Sequence, residues 1–277
     1  MFKKATIIAI ALIALAGLSP AQVEQQVQGA GMVDWTTQAV QATGIGGINP
    51  KLPPSVQRKN ALRAAQLDAM RNMMETLNGV LLTSETTVEN AMMVSDIIKT
   101  KVEGIVRNFR FTSKPRYMSD GSVEIDMEML LYGKVGDALY PEQMGGKTPT
   151  YANLPSDFNS QEPETYTGLI IDASGTDAVP AMVPNVLDEA GEGIYGQEFV
   201  PREAAVKNGV AIYAKSVEEA RRNVERVGTN PLIIMAIRSS GLNKADLVIS
   251  DGDVEKAALI ADNTDIYDNC KVIIVVK

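Results

Sequence analysis

An α+β fold is what three patterns in this sequence predict, as two small sandwich-like units, each with helices packed on a mainly antiparallel sheet. Ala61, Leu62, Ala65, Ala69, Met73 and Leu77 recur at spacings of three and four, the period of a helix with one apolar face. Val123, Ile125, Met127 and Met129 alternate with Glu124, Asp126 and Glu128, the period of a strand with one wet face. Beyond residue 165, short apolar runs are separated by turn residues, with no long series of alternating strands and helices.

Lys3 and Lys4 precede an apolar and small run over residues 5–18, closed by Ser19-Pro20-Ala21. That is the pattern of a secretory signal peptide over residues 1–21, and the run is shorter than the roughly 20 residues a membrane-spanning helix needs. Export is therefore expected, with no direct membrane span. Residues 22–34, rich in Gln and Gly, read as a flexible start. A first strand is expected over 35–42, ended by Thr43-Gly44-Ile45-Gly46-Gly47 and by Pro50, Pro53 and Pro54, which separate these glycines from any helix that could face a phosphate. Ser55 is a candidate N-cap for a helix running to Asn78-Gly79.

The branched and hydroxyl residues of 81–88 suit a strand. A helix over 94–103, stopped by Gly104, leads to strands over 105–112 and 122–131 joined at Ser119-Asp120-Gly121. The first unit thus covers 35–133. Pro141, Gly145-Gly146, Pro149, Pro155 and Pro163 mark 134–164 as a linker to a second unit over 165–277. There, strands are expected over 168–173, 185–187, 193–195, 210–213, 232–237, 246–249 and 271–276. Ser216 and Glu219 form a capping box for a helix to 227, and Asp251 to Asp253 open another.

The chain has no histidine and one cysteine, Cys270, which excludes histidine triads, histidine zinc sites and intrachain disulfides. Cys270 lies beside an apolar run and reads as a buried small hydrophobe. With a net charge of −8, nucleic acid is not an expected partner. No cofactor is expected and no catalytic constellation is evident. Asp68, Arg71 and Glu75 line up along one helical face, and with Glu124, Asp126 and Glu128 they are candidate surfaces for self-association. Asp172, Ser174 and Thr176 follow an apolar strand and offer oxygens at alternate positions. They are the site of the alternative reading, a monomeric module that binds a ligand or divalent metal.

Residues 58–80, RKNALRAAQLDAMRNMMETLNGV, are followed by Ser95-Asp96, Gly104, and Asp120-Gly121 before Val123-Glu124-Ile125-Asp126-Met127. Together with Ala42-Thr43-Gly44-Ile45-Gly46, this order resembles the Lpp-twenty lipoprotein family of bacterial envelopes, which includes flagellar basal-disk proteins of the FlgP type. GLIIDASG, PAMVPNVLDEAGEGIYG and CKVIIVV look similar to the C-terminal half of FlgP-like members. The resemblance implies a non-enzymatic homo-oligomer of the periplasm or the inner face of the outer membrane, with flagellar motor or outer-membrane proteins as partners. Gln22 stands where family lipoproteins carry the acylated cysteine, so no lipid anchor is expected there. The run from Asp172 also resembles the start of the metal-adhesion motif of von Willebrand factor A domains. That motif prefers Ser at the place of Thr176 and needs a parallel sheet that the second unit is not expected to have.

Overall fold

A computed structural model describes residues 22–26, 31–109, 111, 113–147, 166–258, 260 and 264–277, so the expected signal peptide lies outside the described residues. The fold is α+β. Strands β1 (Glu24–Gln26), β2 (Gly31–Asp34), β3 (Ala39–Gly46), β4 (Arg116–Tyr117) and β5 (Val123–Leu130) make a sheet of order β1-β2-β3-β5-β4, antiparallel throughout. Helix α1 (Pro54–Asn78) packs across its inner face, followed by α2 (Val88–Val94), α3 (Asp96–Arg107) and α4 (Lys134–Leu139).

The second sheet contains β6 (Gly168–Asp172), β7 (Val186–Leu187), β8 (Gly193–Tyr195), β9 (Ile212–Ala214), β10 (Pro231–Ser240), β11 (Asp246–Ile249) and β12 (Val272–Val275). Helices α5 (Arg202–Asn208), α6 (Val217–Arg222), α7 (Val224–Val227), α8 (Asp251–Ala258) and α9 (Thr264–Asp268) complete the unit. Its order is β8-β7-β11-β10-β6-β12-β9. The expectation of a mainly antiparallel second sheet is corrected here. β6 runs parallel to both β10 and β12, β12 is parallel to β9, and β7 is parallel to β11. Leu169, Ile170 and Ile171 show the reason, since a strand buried on both faces carries a continuous apolar run rather than an alternating one. Ile170 faces a cluster with Ala220 and Val227 of α6 and α7, while Leu169 and Ile171 join the main core.

The residues expected to be a flexible start form β1 and β2. Val23 and Val33 are buried, the Trp35 N–H donates to Val23 O at 2.9 Å, and the Trp35 indole donates to Gln25 Oε1 at 2.9 Å. A glutamine side chain there serves a buried indole, which composition alone does not reveal. Residues 35–38 form the turn of the β2–β3 hairpin, closed by the Asp34 carboxylate accepting from the Thr36 N–H at 2.9 Å.

Gly44 lies inside β3 and Gly46 is its last residue, so the strand runs through the glycines expected to end it at residue 42. They face Ala61, Ala65 and Ala69, all fully buried on α1, and a Cβ on Gly46 would sit 1.9 Å from Ala61 O. The helix therefore lies directly on the strand backbone. β2 stops pairing at Ala42, and α1 answers the bare edge beyond it. Asn72 Nδ2 donates to Thr43 O at 2.8 Å, and the Ile45 N–H donates to Asp68 Oδ2 at 2.9 Å.

Residues 81–87 are a loop closed by a bridge between Leu81 and Thr87, and Thr87 caps α2, which starts at Val88, by accepting from the Asn90 N–H at 3.2 Å. The hydroxyls that suggested a strand are spent on turns and a cap. Helix α3 continues through Gly104 to Arg107, held by Val102 and Val106 on its buried face, so the strand expected from residue 105 does not start there. In the expected linker, residues 134–139 form α4, with Val135, Ala138 and Leu139 buried, and residues 148–165 lie outside the described residues.

The two sheets interlock. The Met182 and Val183 N–H groups donate to Leu81 and Leu82 carbonyls at 2.9 and 2.8 Å, and Ser84 Oγ donates to the buried Asp246 carboxylate at 2.5 Å. Trp35 meets Tyr213 edge-on at 5.6 Å, and Arg202 reaches from α5 to Asp137 of α4 at 2.9 Å. One apolar core runs through both units.

Candidate functional site

Asp68, Arg71 and Glu75 share one face of α1 as the spacing predicts. Arg71 lies 2.6 Å from Asp68 and 3.9 Å from Glu75. Asp68 is also the acceptor for the strand edge at Ile45, so it belongs to the fold itself. Arg71 is mostly exposed, and an exposed pair of this kind contributes a few tenths of a kcal/mol.

Glu124, Asp126 and Glu128 line the open outer face of the first sheet, and each is answered within the chain. Arg116 pairs with Glu124 and Asp126, Thr43 Oγ1 donates to Asp126 at 2.8 Å, and Gln41 Nε2 donates to Glu128 at 2.8 Å. The hydrogen bond from Arg116 holds the Asp126 carboxyl below the usual carboxylate range. The face is a self-satisfied polar lattice across adjacent strands.

Asp172 ends β6 between two parallel strands, contrary to the sequence expectation for that place. One of its carboxylate oxygens and the two neighbouring hydroxyls are nonetheless hydrogen-bonded within the turn. Ser174 donates its N–H at 3.0 Å and its Oγ at 2.6 Å to Asp172 Oδ1, and Thr176 Oγ1 donates to Ala173 O at 2.8 Å while accepting from the Ala178 N–H at 3.1 Å. The three residues form a closed polar turn. Among the described residues, no group of three or more His, Cys, Asp or Glu side chains is arranged to hold a metal ion.

The surface that sequence reasoning missed lies at the bend between α2 and α3. Ser95 is extended there and caps α3 by accepting from the Ile98 N–H at 3.4 Å, so the chain turns sharply. Met92 is buried inside the bend, while Met93, Val94 and Ile97 stand 79%, 90% and 70% exposed on its outer side. Asp96 adjoins them. The signal was present in the sequence as Ala91-Met92-Met93-Val94, four consecutive apolar residues, more than a short helix can bury on one face. Apolar side chains clustered and exposed to this degree mark an interaction surface.

An apolar groove of about 860 Å³ lies farther along α3, against β5 and α4. Ile105, Phe109, Leu130, Val135 and Ala138 line it, with Lys101 and Lys134 also at its wall. Gly104 opens into this groove, and a Cβ placed on it would meet nothing within 4 Å. A glycine inside a helix costs about 1 kcal/mol relative to alanine, and no neighbour among the described residues requires it.

The molecule is thus an α+β protein of two interlocked sheets with an unpartnered apolar bend and an apolar groove on its surface. Residues 168–277, from β6 to the end of the chain and less than half of its length, match the family described as Treponema pallidum Tp0624, second domain. No curated protein matches the chain. No helix among the described residues is long and apolar enough to cross a membrane.

Proposed function

We propose that this chain is a non-enzymatic, exported cell-envelope protein that assembles with copies of itself, as a component of a disk or ring beside a flagellar motor or the outer membrane. The observation that carries the reading is the presence on one chain of an exposed apolar bend, Met93, Val94 and Ile97, and a separate apolar groove of matching chemistry. The bend of one copy seats in the groove of the next. Such a head-to-tail contact uses two different patches and generates a ring where the rotation closes. The resemblance of residues 58–80 and 120–127 to Lpp-twenty proteins supports an envelope role, and the charged, apolar and small-residue pattern of residues 1–21 supports export.

Light scattering of the purified chain over a range of concentrations tests this. A large assembly is expected, and the double substitution V94D/I97D should return it to a monomer while leaving the melting temperature within about 2 °C, because surface changes of this kind cost little folding energy. A strict monomer at high concentration would sink the reading. So would an assembly that V94D/I97D leaves intact.

A further inference from the structure

A second concavity, of about 550 Å³, opens where the two units meet between α5, α7 and the start of β12. Three cations line it, Lys207, Arg226 and Lys271, against one acid, Glu225, in a chain whose net charge is −8. The side-chain amides of Asn208, Asn223 and Asn269 also line it, with one N–H of Asn208 and one of Asn269 already donated within the chain.

Arg226 is built into the fold and carries no ion pair among the described residues. Its Nη1 donates to Asn208 O at 2.7 Å, its Nη2 to Gly209 O at 3.0 Å and Val210 O at 3.4 Å, and its Nε to Val272 O at 3.4 Å. The carbonyls of Asn208, Gly209 and Val210 lie at the end of α5, where a cation is favoured, and with Val272 O of β12 they account for four of the five guanidinium N–H groups. They supply no negative charge. One Nη1 hydrogen is left, and no acid among the described residues pairs with the charge. Lys207 is exposed and makes no ion pair among the described residues, whereas Lys271 pairs with Asp265, which lies outside the lining.

We propose that this cleft binds a phosphate group, with Arg226 fixed as its rigid donor and Lys207 and Lys271 closing on it from either side. The lining's three cations and one acid give it a net charge of +2, part of which Asp265 offsets at Lys271, and this opposes the charge of about −1.5 to −2 on a phosphate monoester near neutral pH. The planar guanidinium, already held by four hydrogen bonds, loses little freedom on binding, which favours an oxyanion over looser partners. The proposal does not rest on self-assembly: the cleft lies apart from the α2–α3 bend and shares only Tyr132 with the groove, and none of its three cations lines that groove.

Calorimetric titration of the purified chain with sodium phosphate, against sodium chloride at equal ionic strength, tests the proposal. Saturable binding in the millimolar range or tighter is expected for phosphate alone. Lys207→Glu should weaken it about 10-fold or more, since it replaces a charge-assisted contact with repulsion. Lys207→Gln should fall between the two, and Arg226 is left unchanged because it clamps the backbone. A parallel sedimentation assay with phosphatidylcholine vesicles containing phosphatidic acid identifies the source. Binding to vesicles that is lost in Lys207→Glu assigns the group to a lipid headgroup, and binding of inorganic phosphate alone assigns it to a soluble ligand. No saturable heat up to about 20 mM phosphate, or equal affinity in Lys207→Glu, would overturn the site.

Discussion

Gly44 and Gly46 have no side chain because α1 leaves no room for one. A Cβ on Gly44 would lie 2.1 Å from the Ala69 backbone nitrogen, and one on Gly46 would lie 1.9 Å from Ala61 O, both against helix backbone that cannot rotate away. Gly46→Ala should therefore destabilise the protein by about 2–3 kcal/mol through overpacking. Gly47→Ala is the matched control. Its neighbourhood is open, with nothing within 4 Å of the added carbon, and its melting temperature should not move. Equal melting temperatures for the two variants in calorimetry would refute the close contact between helix and strand. The glycines read from sequence as a turn after a strand because glycine is common in both places. What distinguishes them is the Ala61, Ala65 and Ala69 stripe, which matches a bare strand in size but names no partner until the chain is folded.

At the scale of elements, α3 shows what local sequence does and does not carry. Val102 and Val106 stay buried and Glu103 pairs with Arg107 at 2.8 Å, so the helix passes through Gly104 despite its low propensity. Since nothing among the described residues crowds that position, Gly104→Ala should stabilise the isolated chain by about 0.5–1 kcal/mol, a rise of about 2 °C in melting temperature. A fall instead would show a contact at Gly104 within the chain. β5 was legible because its two faces have different solvents, and its buried and wetter sides fall on Val123, Ile125, Met127, Met129 and on Glu124, Asp126, Glu128 as the alternation predicts. The parallel pairing of β6 was not, because an apolar run names no neighbour, and β10 and β12 lie about 60 and 100 residues further along the chain. The candidate site divides the same way. The α1 salt-bridge face was readable from spacing, whereas the α2–α3 bend needed the loop of residues 81–87 to dock on the second unit before its outer side could be identified.

The whole molecule should respond to pH only at the extremes, for reasons visible in its composition and its core. There is no histidine, so no side chain with an ordinary pKa between about 5 and 8 changes charge on unfolding. In acid, Asp177 is held at about 2 by hydrogen bonds from Lys244 and Ser239, and Asp126 and Asp265 are lowered by Arg116 and Lys271. A carboxyl whose folded pKa is depressed contributes stability above its unfolded pKa near 4 and loses it as the pH falls through the folded value. These groups are largely exposed, so the acid decline should be shallow. In alkali the sign is reversed in its origin. Burial pushes the Cys270 thiol up to about 11, so the unfolded chain ionises first, and stability present below pH 9 is lost between about 9 and 11. That loss is on the order of 3 kcal/mol, and the buried phenols of Tyr140, Tyr195 and Tyr213, raised by the same desolvation, extend it to higher pH. Urea melts from pH 3 to 11 should therefore give a plateau between about 5 and 9, with the steeper fall on the alkaline side. Cys270→Ala should flatten the first part of that fall, and an alkaline limb that this substitution leaves unchanged would show that the thiol is not among the groups that set it.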